Sequence, residues 1–143
     1  YEPGEVKAVA YDENGRKCSE QIVRTAGKPY RIVLKADKDT LDADLRDEDL
    51  AFVTVSVVDR EGNLCPDAQQ TVKFSVRGAG YYKAGANGNP VCLEPFGRPQ
   101  MPVFNGQMTA IVAEKGQAGT LRLKAEAKGL KSAELVLPVK RTE

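Results

Sequence analysis

The sequence predicts an all-β protein, an antiparallel β-sandwich, on three observations. Apolar and polar residues alternate with period two through most of the chain, and turn signals separate the alternating runs at short, even intervals. No window carries the continuing apolar stripe of an amphipathic helix. The clearest run is "AFVTVSVVD", with Ala51, Val53, Val55 and Val57 on one face and Thr54 and Ser56 on the other. In "TVKFSVR", Val72, Phe74 and Val76 face inward while Lys73, Ser75 and Arg77 face outward. "LRLKAEAK" sets Leu121, Leu123, Ala125 and Ala127 against Arg122, Lys124, Glu126 and Lys128. Such patterns suit antiparallel strands with one face on a core and the other in water.

Further strands are predicted over residues 6–11, 17–25, 31–36, 107–113 and 133–139. Between them lie "DENG" at 12–15, "REGN" at 60–63 and "KGQAG" at 115–119, all rich in residues that favour turns. "DTLDADLRDEDL" spaces its leucines as a helix would, but no apolar face continues it. The Gly-Lys-Pro hinge of "TAGKPY", residues 25–30, reads as a boundary. Residues 29–143 form the sandwich. Residues 1–28 are then the closing hairpin of a preceding, truncated domain, or they dock on that sandwich. A two-stranded hairpin alone is marginal in water.

At 143 residues the chain can bury one sizeable core. Its 21 basic and 20 acidic residues nearly cancel, leaving a net charge of +1 and no basic stripe for nucleic acid. No apolar run approaches the length of a membrane span. The chain has no histidine, which removes Ser-His-Asp and Cys-His nucleophilic pairs and the commonest neutral metal ligand. It also lacks tryptophan, the preferred platform for sugars and bases. The expectation is a chain without catalytic residues, cofactor or metal. It begins at Tyr1 without an initiator methionine or signal-peptide pattern, as expected of a piece of a larger polypeptide.

The residues of "ADKDTLDADLRDEDLAFVTVSVVDREGNLCPDAQQTVKFSVRGAG" resemble the bacterial Ig-like repeats of invasin and intimin type. The continuation "NGNPVCLEPF…FNGQMTAIV…GTLRLKAEAKGLKSAELVL" is similar to the C-terminal Ig-like module of glycoside hydrolase family 2 β-galactosidases from Bacteroides-type gut bacteria. "PGEVKAVAYDENGRKCSEQIVRTAGKP" resembles the closing hairpin of the Ig-like domain that precedes this module. The resemblance implies an Ig-like, invasin-type sandwich, and a periplasmic, secreted or cell-surface parent that hydrolyses β-galactosides through two glutamates in a (β/α)₈ barrel. That barrel is not within this sequence, so no catalytic residue carries over. The implied role is a non-catalytic module that braces the catalytic domain or mediates domain and subunit contacts. Its implied partners are the other domains of the parent hydrolase, with a glycan as a further candidate. A carbohydrate-binding module and an adhesin-type repeat of a surface protein are the rival readings.

Candidate sites concentrate in "GAGYYKAGANGNPVCLEPF", residues 78–96, which reads as part of a long loop extending to residue 104 and as the favoured contact surface. Its glycines lack the strand–GxGxxG–helix setting of a phosphate cradle. Glu94 is a candidate general acid, but glycosidases need a second carboxylate roughly 5–9.5 Å away and the sequence nominates none. A structural role is favoured. Tyr81, Tyr82, Phe96 and Phe104 are candidates for a sugar-stacking surface, with core packing as the favoured alternative. Cys65 and Cys92 both follow turn signals and form a candidate disulfide. Because spacing alone does not establish bridge geometry, small buried thiols are favoured. The acidic cluster Asp37, Asp39, Asp42, Asp44, Asp47, Glu48 and Asp49 lacks the spacing of a calcium loop and is expected to be a solvated loop.

Overall fold

The computed structural model of the chain describes residues 2–45 and 47–141, and every regular element among them is a strand. In chain order these are β1 (Glu5–Tyr11), β2 (Lys17–Arg24), β3 (Arg31–Ala36), β4 (Leu41–Asp42), β5 (Leu50–Val58), β6 (Thr71–Gly78), β7 (Gly80–Ala86), β8 (Gln100–Pro102), β9 (Gln107–Glu114), β10 (Gly119–Glu126) and β11 (Ala133–Lys140). Two sheets, ordered β3-β5-β9-β7 and β4-β11-β10-β6-β8, pack face to face, while β1 and β2 make a separate hairpin. All the alternating runs of the sequence are strands in their expected places. Pairing is antiparallel except between β11 and the two-residue β4, which run parallel.

Alternation fixes the core. Ala51, Val53, Val55 and Val57 of β5 are fully buried, as are Leu121, Leu123 and Ala125 of β10 and Val72 of β6. Met108, Ala110 and Val112 of β9, Leu137 and Val139 of β11, and Ile32, Leu41, Phe74, Met101 and Val103 join them in the interior. Val76 and Ala127, expected inward, are only partly buried and lie at the margin of this cluster. β-branched and leucine side chains on a pleated surface gain roughly 1.5–3 kcal/mol each from full burial.

The stretch 78–96 is not one loop. Its first half is β7, an edge strand paired with β9, and Gly78 and Ala79 form the tight passage from β6 in one sheet to β7 in the other. Alternation is absent there for two reasons. Register slips between Tyr82 and Ala84, and the inward positions Gly80 and Gly85 must be small. A Cβ on Gly80 would lie 2.1 Å from Leu121 Cδ1, and one on Gly85 2.2 Å from the Tyr82 hydroxyl. Only residues 87–99 remain as loop. Beyond β8, Asn105 and Gly106, both with positive φ, form the two-residue turn between Phe104 and Gln107 that leads into β9.

Candidate functional site

One end of the sandwich gathers linker 25–30, turn 59–63 and the base of loop 87–99. β3 begins here and β5 ends here (Arg31 opposite Val58), β6 begins opposite β8, and β7 ends opposite the start of β9. Linker 25–30 and turn 59–63 thus lie side by side at β3 and β5, and the base of loop 87–99 lies at the same end on the opposite edge strand, β7.

Asp59 ties the linker down. Its Oδ2 accepts from the Gly27 amide at 2.8 Å and from Asn63 Nδ2 at 3.1 Å. Its Oδ1 accepts from the amides of Glu61 at 3.0 Å and Asn63 at 2.8 Å. The local sequence supplies this arrangement: an aspartate opening a D-x-x-G turn bonds the amides two and four residues on, and Gly62 takes the left-handed conformation the turn needs. Asp12 does the same in the β1–β2 turn with the amides of Asn14 and Arg16. Although the residue is only 5% exposed, the Gly27 amide, with the other donors, outweighs desolvation and holds the Asp59 carboxyl down at about 2.

A pH dependence of definite sign results. The folded-state value lies below the ordinary 3.8, so the clamp contributes fully above about pH 4 and is lost as pH falls through about 2. Wild-type protein should melt higher than Asp59→Asn at about pH 5, and the gap should close towards about pH 2. A gap that stayed constant across this range would remove the carboxylate from the account.

The hairpin that this clamp anchors has two unlike faces. On one, Lys7 and Lys17 pair with Glu20 and Arg24 pairs with Glu5. On the other, the register sets Val6 against Val23, Ala8 against Gln21 and Ala10 against Ser19. That face bears no charge and packs on nothing: Val6 is 72% and Val23 60% exposed.

The sequence-predicted site residues do not converge. Tyr82 points inward and stacks on Phe74 with ring centroids 5.2 Å apart, and burial pushes its hydroxyl up to about 12. Tyr81, the preceding residue on the strand, points outward and donates to Glu48, which also pairs with Lys83. Lys83 first, then Tyr81, holds Glu48 below the usual carboxylate range. Phe104 sits at the opposite end of the sandwich from Tyr81, and Phe96 projects from loop 87–99. No common stacking platform forms from the four rings. Glu94 accepts from Arg98 Nη1 at 3.3 Å and Gln100 Nε2 at 3.2 Å, a clasp across its own loop. Cys65 and Cys92 are free thiols and no bridge joins them. Cys65 is buried in the core with its thiol directed at the Gly27 carbonyl, while Cys92 lies on the loop beyond β7.

Much of the acidic cluster is bonded rather than merely solvated. Asp37 accepts from the Phe52 amide, Asp49 from the Asp42 amide and Lys38, and Asp42 from the Asp44 amide. Asp37 thus ties this segment to β5 and Glu48 ties it to β7, while the bonds of Asp42 and Asp49 hold it together internally.

Sequence reasoning singled out this loop and Phe96 as a contact surface but passed over Val91 and Leu93, which with Phe96 make its apolar tip. Val91, Leu93 and Phe96 are 78%, 95% and 66% exposed, although the loop beneath them is well bonded. Asn87 donates to the Pro102 carbonyl and accepts from the Asn89 amide, Asn89 accepts from the amides of Val91 and Cys92, and the Phe96 carbonyl accepts from Gly85. The available signal was three large apolar side chains within a turn-rich segment that offers them no partner strand.

Residues 32–136 match the glycoside hydrolase family 2 C-terminal domain 5. This chain belongs to that family. The domain 5 chain is 42% identical over 135 residues to the β-galactosidase BoGH2A of Bacteroides ovatus, covering 94% of this chain but 16% of the relative. It thus spans about a sixth of that enzyme's length. A β-glycosidase from Bacteroides vulgatus superposes with a TM-score of 0.90 at 22% identity, over 97% of this chain and 18% of that one. The D00-D0 domain of intimin superposes with a TM-score of 0.57 at 16% identity, over 96% and 64% of the two chains, and shares the Ig-like fold. Domain 5 is thus a small C-terminal part of family 2 glycoside hydrolases, whose catalytic domain lies elsewhere.

Proposed function

We propose that this chain is a non-catalytic accessory domain of a β-galactosidase-like hydrolase, and that its hairpin β1–β2 completes a sheet of the polypeptide preceding it. The observation that carries this reading is the uncharged, uncovered face of Val6, Ala8, Ala10 and Val23, clamped to the sandwich through Asp59. A hairpin with one ionic face and one uncharged, uncovered face calls for a second layer, and the sandwich does not supply it. The module then acts mechanically: it seats its sandwich at a fixed angle to the preceding domain. The two exposed valines would bury against that domain.

The test compares the 143-residue chain with the enzyme that carries it. Val23→Asp should leave the melting of the isolated chain nearly unchanged, because Val23 is largely exposed there. In the parent it should cost about 1–3 kcal/mol, as for an unpaired charge placed in an apolar contact. Pure isolated chain should not turn over an aryl β-galactoside. Turnover, or a parent indifferent to Val23→Asp, would overturn the reading.

A further inference from the structure

We infer that Val91, Leu93 and Phe96 form a second docking contact, a preformed apolar knob that seats against the upstream polypeptide of the same protein. This rests on the proposed docking of the hairpin and names where else the module touches its parent.

Three features carry it. The first is chemical. Two aliphatic side chains and one lone phenyl ring suit an apolar protein pocket; a sugar would call for flat aromatic faces, and Tyr82 of this region is spent in the core. The second is preorganisation. The loop beneath the knob is fixed by Asn87 on the Pro102 carbonyl, by the Gly85 amide on the Phe96 carbonyl, by the Phe74 amide on the Pro99 carbonyl and by the Glu94 clasp to Arg98 and Gln100. A loop already held in shape loses little entropy when it binds. The third is placement. The loop leaves the sandwich at Ala86, at the end where linker 25–30 and Asp59 join the hairpin. Since domain 5 covers 16% of the Bacteroides ovatus relative and is C-terminal in its family, most of such a parent lies upstream, on the side the hairpin enters from. Hairpin and knob then grip one body from two points, which sets the angle between them more firmly than either contact alone.

Peptide-resolved hydrogen exchange on the isolated chain and on the full-length parent tests this. Residues 89–97 and residues 5–24 should both exchange more slowly in the parent, by about tenfold or more. Leu93→Asp in the parent should return residues 89–97 to their isolated-chain rate while residues 5–24 stay protected. The same substitution should leave the melting of the isolated chain unmoved, because Leu93 is 95% exposed there. Equal rates at 89–97 in both proteins, with 5–24 protected, overturn the knob and spare the hairpin. No protection at either segment overturns both. Protection of 89–97 in the isolated chain that disappears on dilution assigns the knob to a second copy and overturns the inference.

Discussion

Gly78→Ala is expected to lower stability by about 2–5 kcal/mol, a large share of the roughly 5–15 kcal/mol that holds a domain of this size together. Gly78 has φ +85°, which for an L side chain costs about 1–2 kcal/mol. Its added Cβ would also lie 1.9 Å from the Thr120 carbonyl oxygen. That oxygen accepts from the Ala79 amide at 3.0 Å, so it cannot retreat without breaking the passage between the sheets. Displacing packed backbone adds about 1–3 kcal/mol. Gly88→Ala is the control: its φ is +75° but nothing lies within 4 Å of its added Cβ, so conformational strain alone applies. Urea denaturation of the two variants separates the terms. Equal shifts in midpoint would show that the close approach at Gly78 contributes nothing.

Leu121→Ala should cost about 2–5 kcal/mol, the range for cavities that surrounding structure cannot fill. Leu121 is fully buried, opposite Leu137 on one side and Gly78 on the other. Its Cδ1 occupies the space that Gly80 leaves empty. A double variant isolates that contact. A Cβ on Gly80 would meet Leu121 Cδ1 at 2.1 Å and the Ala113 carbonyl oxygen at 2.4 Å. Removing the leucine relieves only the first clash. Gly80→Ala and Leu121→Ala should therefore couple favourably by about 0.5–3 kcal/mol, yet the double variant should not recover wild-type stability. Full recovery in a denaturation experiment would mean that the Ala113 backbone moves freely.

What could be read from the chain and what could not divide along the source of each signal. Strands such as β5 and β10 announce themselves because every second residue must be apolar to face the other sheet. β7 does not, because tight quarters near Leu121 and Tyr82 demand glycine at inward positions and the slip after Tyr82 inverts the alternation. β4 and β8 span two and three residues and are too brief to show any period. The parallel pairing of β4 with β11 depends on a crossover that no local pattern encodes. Turns fared better: "DENG" and "REGN" each carry a local chemical reason to turn, and both are turns in the structure. The clamp of Asp59 on Gly27 spans 32 residues, and the turn motif around Asp59 accounts for only its local bonds. The reading of residues 78–96 weighted aromatic and acidic side chains, whereas the geometry turns Tyr82 inward, bonds Tyr81 and Glu94, and exposes Phe96 with Val91 and Leu93. Residue type drew the eye, and surroundings decided the role.

Loop 87–99 has a consequence for how this chain behaves in crowded solution. Running beside β7, it uses the Phe96 carbonyl to occupy the Gly85 amide, and its prolines at 90, 95 and 99 offer no amide hydrogen to an incoming strand. An open lateral edge would be a template for runaway addition of further chains, the route to fibrils. By filling the Gly85 amide at the end of β7 the loop removes a donor that an incoming strand would need, so excising it would open that end of the border to pairing.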